Sequence, residues 1–411
     1  MLSFHATYGQ QVLGHFPLSR FGIGSYFGNG LVRNEGMAST GLAIPSPDNV
    51  NLLNPAMLPF NRNANLEFDL WYAHRELKVD DKYSQIGGSG PAQISVCLPV
   101  HKKATVAFGI RRYTNYEFLY ARTDFLGDDS IRTRNSGSGG TSQAFLSFGV
   151  SLGKKLKIGL ETGYVFGTLL DVNSFVPLPA IVNYTTVNTD IRKISTLTFK
   201  PGLFYQTELR KQKKTMLTFA GVADLGGKVG YKTFSTTQLE GISGSLDTLV
   251  YDKKSHMSRP GSYSFAVGMF HLLDWSLSAE VNYAVGKNVD YNETSITGIN
   301  SYSYKLGGEY SIGTDKSTQY INIITWRAGL SYQNFPYTLN GENIKDKKVS
   351  IGASFPIVRK ETKFTRPLIS LAVAYGQRGL QNTYIGIDKY WVVTLGFTLN
   401  DTQWFTRYRV D

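Results

Sequence analysis

Residues 275–285 read Trp275-Ser276-Leu277-Ser278-Ala279-Glu280-Val281-Asn282-Tyr283-Ala284-Val285. Trp275, Leu277, Ala279, Val281, Tyr283 and Val285 fall on one face, and Ser276, Ser278, Glu280 and Asn282 on the other. A period of two keeps a face apolar only in an extended strand. The same alternation runs through 142–152 (Ala144, Leu146, Phe148, Val150 and Leu152 against Ser147, Gly149 and Ser151), through 302–312 and through 391–399. A soluble sandwich would carry many Lys and Glu on its polar side. Here that side is mostly Gly, Ser and Thr, as a crowded interior requires. Reading outward from these segments predicts fourteen strands: 64–75, 92–100, 103–118, 142–153, 155–171, 193–209, 214–231, 261–272, 275–287, 300–312, 319–333, 347–356, 366–377 and 389–400. The even count suits a closed antiparallel barrel with both termini on one side.

The links between these segments alternate long and short. The short ones are often basic, as in His101-Lys102-Lys103, Gly153-Lys154-Lys155 and Arg210-Lys211-Gln212-Lys213-Lys214. The long ones, such as 121–141 and 233–260, are rich in Gly, Ser, Asn and Asp and are expected to be loops. Tight turns on one side and long loops on the other mark an up-and-down barrel in an outer membrane. The expected fold is therefore all-β: a transmembrane antiparallel β-barrel of about fourteen strands over residues 64–400. Its expected place is a bacterial outer membrane, against lipid and lipopolysaccharide. Several strands exceed the roughly 9–11 residues that cross a bilayer and should project on the outer side.

Composition agrees with one all-β body: 25 Tyr, 24 Phe, 42 Gly, 18% charged residues and a single Cys. No run reaches the roughly 18 apolar residues of a transmembrane helix. Cys97 has no partner for an intramolecular disulfide and reads as a small lumen-facing strand residue. The formal charge of +12 gathers in the short turns and at the C-terminus rather than in a stripe along a helix, so no nucleic-acid partner is implied. Residues 1–13 lack the basic region and full apolar core of a signal peptide. Residues 1–16 are expected to be a signal remnant and flexible N-terminus, with Met1 an internal start or part of a trimmed chain. Residues 401–411 read as a basic periplasmic C-terminal tail.

Residues 17–63 break the alternation. Gly22, Gly24, Gly28, Gly30, Gly36 and Gly41, with Pro45, Pro47, Pro55 and Pro59, oppose strand formation. Their apolar residues, among them Phe21, Ile23, Phe27, Met37, Leu52 and Leu58, argue against a solvated tail. A lumen lined by fourteen strands is wide enough to need filling, so this segment is expected to fold inside the barrel as a plug.

The run Arg33-Asn34-Glu35-Gly36-Met37-Ala38-Ser39-Thr40-Gly41-Leu42-Ala43, followed by Asp48 to Ala56 with Asn54-Pro55-Ala56 at its end, resembles the plug of FadL-type outer membrane proteins. There a Gly/Ala stretch precedes a D-x-x-x-x-x-N-P-A signature. A narrower match is to the Bacteroidota branch of that family, through Trp326 to Tyr332, Val349 to Ile357, Ala374 to Gly379, and Phe397 to Asn400 with Trp404 to Arg409. Tyr408 interrupts the basic pair that ends that branch. The resemblance covers nearly the whole chain. It implies a hydrophobic-solute transporter, or a subunit of a larger outer-membrane machine, a class that includes the shuttle barrel of type IX secretion. Fold alone does not decide between them.

Strand parity points Glu161, Glu280, Lys305, Glu309 and Arg327 into the lumen. Glu280, Glu309 and Arg327 fall on three consecutive strands, and Glu67 and Asp69 would join them from the first strand. Such a group pins plug to wall as an ion-pair network, or offers Arg327 to a substrate carboxylate. Pro55 fixes a turn and extends Asn54 before it. His5, His15, His74, His101, His256 and His271 are scattered without ligand spacing, and no nucleophile–base pairing is evident. No metal, cofactor or enzymatic activity is implied. Ser136-Gly137-Ser138-Gly139-Gly140 reads as a flexible external loop, without the Lys-Ser/Thr of a phosphate loop.

Two functions follow. A hydrophobic solute could enter an apolar pocket lined by Phe118, Tyr120, Phe125, Phe166, Phe175 and Pro177, and leave by a plug shift or a gap between strands. Alternatively the barrel is a docking platform for outer-membrane complex partners, gripped through 233–260, the 173–192 connection and the basic tail.

Overall fold

The computed structural model describes residues 17–401 apart from 29–30, 80–81, 127–128, 179–183, 211–214, 242–243, 272–273, 288–295, 312–318, 358–366 and 381–385. The readings made for residues 1–16, for the basic turn at 211–214 and for the tail beyond Asp401 lie outside the described residues.

The chain forms a closed antiparallel barrel of fourteen strands. They are β1 (Ala64–Val79), β2 (Lys82–His101), β3 (Ala104–Asn115 and Phe118–Leu126), β4 (Asp129–Ser151), β5 (Leu156–Leu178) and β6 (Tyr184–Arg210). β7 (Thr215–Asp224 and Gly227–Gly241) and β8 (Gly244–Arg259 and Gly261–His271) follow. The barrel continues through β9 (Trp275–Val285), β10 (Ile296–Gly298 and Ser301–Tyr310), β11 (Thr325–Leu339), β12 (Glu342–Pro356), β13 (Leu368–Gly379) and β14 (Ile387–Asp401). Each pairs with its successor in sequence, and β14 closes on β1 from Asp401↔Ala64 to Ile387↔Lys78.

The faces are inverted relative to a soluble protein. In β9, Ser276, Ser278 and Glu280 are buried, while Leu277 and Val281 are 47% and 40% exposed. Phe68, Ile94, Phe108, Leu146, Phe148 and Leu330 are likewise exposed on the outside. A contiguous apolar outer surface of this kind is one that lipid covers.

The long links differ from expectation. Much of 121–141, 173–192 and 233–260 is strand, not loop, and Ser136–Gly140 lies within β4. β4 and β5 are 23 residues each and β6 is 27, against 16 for β1 and 15 for β14. The β4–β5 register runs unbroken from Ser151↔Lys157 to Ser130↔Leu178. Beyond the bilayer no lipid demands an apolar outer residue, so the two-residue period fades although the ladder continues. One side of the barrel therefore rises as a tall wall.

The wall has one discontinuity that matters. β2 and β3 pair from His101↔Ala104 to Gln93↔Arg111, and no further among the described residues. Beyond that row β2 still pairs with β1, as far as Val79↔Lys82, and β3 with β4. The two strands thus part in the half of the barrel away from the short turns. Ser25 and Tyr26 of the N-terminal segment pair with Asn115 and Thr114 on the edge of β3 that this frees.

The described residues of 17–63 otherwise lie in the lumen, with short helical turns at Pro17–Arg20, Val32–Glu35 and Pro55–Phe60. Met37, Ala38, Val50, Leu52, Ala56 and Leu58 are fully enclosed. The wall is cut to receive them. A Cβ at Gly159 would meet the backbone of Pro55 and Ala56, and one at Gly329 the backbone of Met37. Only glycine allows so close an approach. Gly159→Leu should displace the segment and lower the thermal unfolding midpoint by several degrees. Gly227→Ala, where nothing lies within 4 Å, should leave it unchanged in the same melting assay.

Candidate functional site

The lumen holds the chemistry, and each group there is placed by strand parity. Glu309 on β10 stands directly across from Arg327 on β11. Arg33, on the one-turn helix of the N-terminal segment, reaches the same carboxylate with two nitrogens, at 3.1 Å to Oε2 and 2.6 Å to Oε1. Arg327 Nε donates to Oε2 at 3.0 Å, and its Nη1 donates to Ser354 Oγ at 2.5 Å, which in turn bonds Ser370. One carboxylate thus sits between two buried guanidiniums, an arrangement Arg's planar fork favours.

Glu280 does not join that group. Its Oε1 accepts the backbone N–H of Gly41 at 2.6 Å and of Leu42 at 2.8 Å. Lys305, across the ladder from Glu280, donates to the Ser39 carbonyl at 3.3 Å. Glu67, expected with Arg327, instead accepts the Val50 N–H at 2.9 Å. Asp69 is buried, and a Cβ on Gly396 would sit between it and Val32. The inserted segment separates these acids from Arg327, because its own unpaired N–H groups need the acceptors.

Glu161 anchors a second cluster, with Arg111 of β3 and with Lys200 of β6 at 3.0 Å. Lys200 also donates to the Leu52 carbonyl at 2.8 Å, and Arg111 to Gln143 at 2.7 Å. Glu35 pairs with Lys348 at 3.3 Å. Asn54 accepts the Ala56 N–H at 3.0 Å and donates to the Leu203 carbonyl at 3.1 Å, so it both caps the Pro55–Phe60 turn and ties it to β6. Pro55 and Ala56 seat against Gly159. Sequence reading missed Arg111, Lys200 and Lys348. Each lies at inward parity, between outward neighbours such as Ile110 and Phe199, and the same period would have found them.

A cavity of about 420 Å³ lies in the lumen against this segment. Its lining mixes charged side chains of both signs, among them Arg259, Lys305, Lys348 and Asp346, with apolar ones such as Phe27, Leu53 and Trp71. The expected aromatic pocket is not assembled. Phe118 is buried in a core with Tyr113, Tyr116, Val165 and Leu169, with Tyr120 packed on it. Phe166 is 37% exposed and stacks on Tyr164, and Phe125 is 80% exposed. A second opening, about 490 Å³, lies at the β2–β3 parting, with Phe68, Ile94 and Ile110 outside and Gln93 and Arg111 within. Among the described residues no group of three or more His, Cys, Asp or Glu could hold a metal ion.

A family model described as BamG matches residues 1–411. Solved structures resemble the chain in fold at low identity. A Pseudomonas aeruginosa FadL homologue superposes with TM-score 0.59 at 12% identity, covering 93% of this chain and 99% of its own. The Pseudomonas putida toluene transporter TodX gives 0.56 at 15%, covering 92% and 98%. The CymD monoaromatic hydrocarbon channel gives 0.56 at 14%, covering 96% and 100%. No curated protein matches the sequence.

Removing Glu309 would leave Arg33 and Arg327 buried without their shared anion. Glu309→Ala should cost about 3–5 kcal/mol, read as a lower denaturant midpoint for barrel unfolding. Glu309→Gln, which keeps an acceptor oxygen, should fall between it and the native protein.

Proposed function

The chain belongs to the BamG family, and from that premise we propose that it is a sealed bacterial outer-membrane barrel acting as a docking subunit of a larger outer-membrane assembly. A barrel-assembly complex or a type IX secretion complex of Bacteroidota is the kind of machine it would serve. Residues 17–63 act as a fixed plug. The observation that carries this reading is the tethering of that segment to opposite sides of the wall. Arg33 and Glu35 bind β10 and β12, Lys200 of β6 holds Leu52, Asn54 donates to β6, and β1 holds Val50. Transport through the lumen needs a plug that shifts, and these buried bonds must break together to let it. The tall β4–β8 side adds a large surface outside the membrane, which a docking platform can use.

The β2–β3 parting favours a second reading. The cavity there is lined on its outer side by Phe68, Ile94 and Ile110, where a hydrophobic solute could pass sideways. Structural neighbours named as a toluene transporter and a monoaromatic hydrocarbon channel support the same idea.

A covalent lock separates docking from transport by plug movement. Ala38 N donates to Ser350 Oγ at 2.5 Å, so A38C/S350C can be oxidised to fix the segment to β12. On the docking reading the oxidised variant supports growth and migrates in the same native complex as the unaltered protein. If locking abolishes function or hydrocarbon uptake while complex migration is kept, transport by plug movement is the correct account.

A further inference from the structure

The outer face of β6–β8 carries a feature that lumen and plug do not use. Lys193 of β6 stands directly across from Lys232 of β7, and Lys232 directly across from Lys254 of β8. All three are exposed. None is in an ion pair among the described residues. Neighbouring strands lie about 4.8 Å apart, so the backbone positions of the three lysines fall within about 10 Å. Like charges directly opposite one another destabilise a sheet, and their repulsion calls for an external anion.

Their height along the wall is fixed by register. On β5, Tyr164 pairs with Leu197, Phe166 with Ser195, and Thr168 with Lys193. Tyr164 and Phe166 are exposed and stacked at 5.9 Å, and Leu197 and Phe199 are 63% and 44% exposed. That is an aromatic girdle at the top of the apolar belt. Lys193 lies about 13 Å beyond Leu197 along β6, at about 3.3 Å per residue. The row therefore stands just outside the hydrocarbon, at the level of lipid headgroups and on the side away from the short turns. Lys228, exposed on β7, and His256, exposed on β8 two residues from Lys254, extend the patch toward the membrane.

We propose that Lys193, Lys232 and Lys254 form a docking site for the phosphate groups of an outer-leaflet glycolipid. Basic clusters at a membrane surface recognise anionic headgroups in this way. The opposite wall provides a contrast. There Lys347 and Lys389 are separated by Gln377, and Lys389 faces Glu76. The inference rests on the outer-membrane placement of the barrel, not on whether the barrel docks a partner.

The test is native mass spectrometry of the full-length barrel in mild detergent, titrated with lipid A, with dephosphorylated lipid A and with inorganic phosphate as competitor. Lipid A should bind the unaltered protein, and K193S/K232S/K254S should weaken binding at least tenfold. K193R/K232R/K254R should retain it, and K347S/K389S should leave it unchanged. Should the triple serine variant fail to fold, judged by heat-modifiable mobility, K232S alone is expected to weaken binding at least threefold. Equal binding by the serine variants, or by the dephosphorylated lipid, overturns the proposal. Full displacement by inorganic phosphate would make this a free-anion site instead. Loss of a co-purifying acidic protein with lipid binding intact would assign the patch to a protein partner.

Discussion

Everything in this molecule depends on filling a lumen with chain that is mostly irregular, broken only by short helical turns and a two-residue strand. A fourteen-stranded barrel is too wide for its inward side chains to close, and residues 17–63 occupy the space. Such irregular backbone leaves N–H and C=O groups without ladder partners, and each costs free energy if buried unpaired. The wall supplies those partners. Glu280 takes two N–H groups, Glu67 takes a third, and Lys200, Lys305 and Thr218 bind carbonyls. The inward charges of the barrel are thus mainly acceptors and donors for the inserted segment, and the Arg33–Glu309–Arg327 pairing fixes its position.

That constraint explains how much of the fold was legible. Where lipid bathes one face and a crowded lumen the other, residue identity alternates strictly, and all fourteen strands could be placed. Above the bilayer both faces meet water. The stretches 185–192 and 233–241 are mostly polar, with Val187, Ile191, Phe234 and Leu239 too sparse to mark an alternating face. Cross-strand pairing there is set by the registers already begun below. The break at Tyr116 and Glu117, and the parting of β2 from β3, depend on the N-terminal segment taking the freed edge of β3. A long-range pairing of two residues leaves no periodic trace.

The site was legible to the same depth. Parity placed Glu161, Glu280, Lys305, Glu309 and Arg327 inside, and the cross-strand meeting of Glu309 with Arg327 follows from it. Which of them meet across the lumen depends on the path of residues 17–63, which no period describes. Hence Glu280 and Glu67 serve backbone N–H groups, and Arg327 has two nitrogens committed to Glu309 and Ser354 rather than open to a carboxylate ligand. The expected apolar pocket failed for a related reason: Phe118 went into a core under the tall wall, while Phe166 faces outward.

An N-terminal segment tied to β1, β6, β9, β10 and β12 suits a rigid body that other proteins can dock on. The most direct measurement is mild-detergent affinity purification from native membranes, followed by mass spectrometry of the intact species. The account predicts a stoichiometric protein partner bound to a barrel without small-molecule cargo. A lone barrel carrying an apolar molecule in its lumen would contradict it.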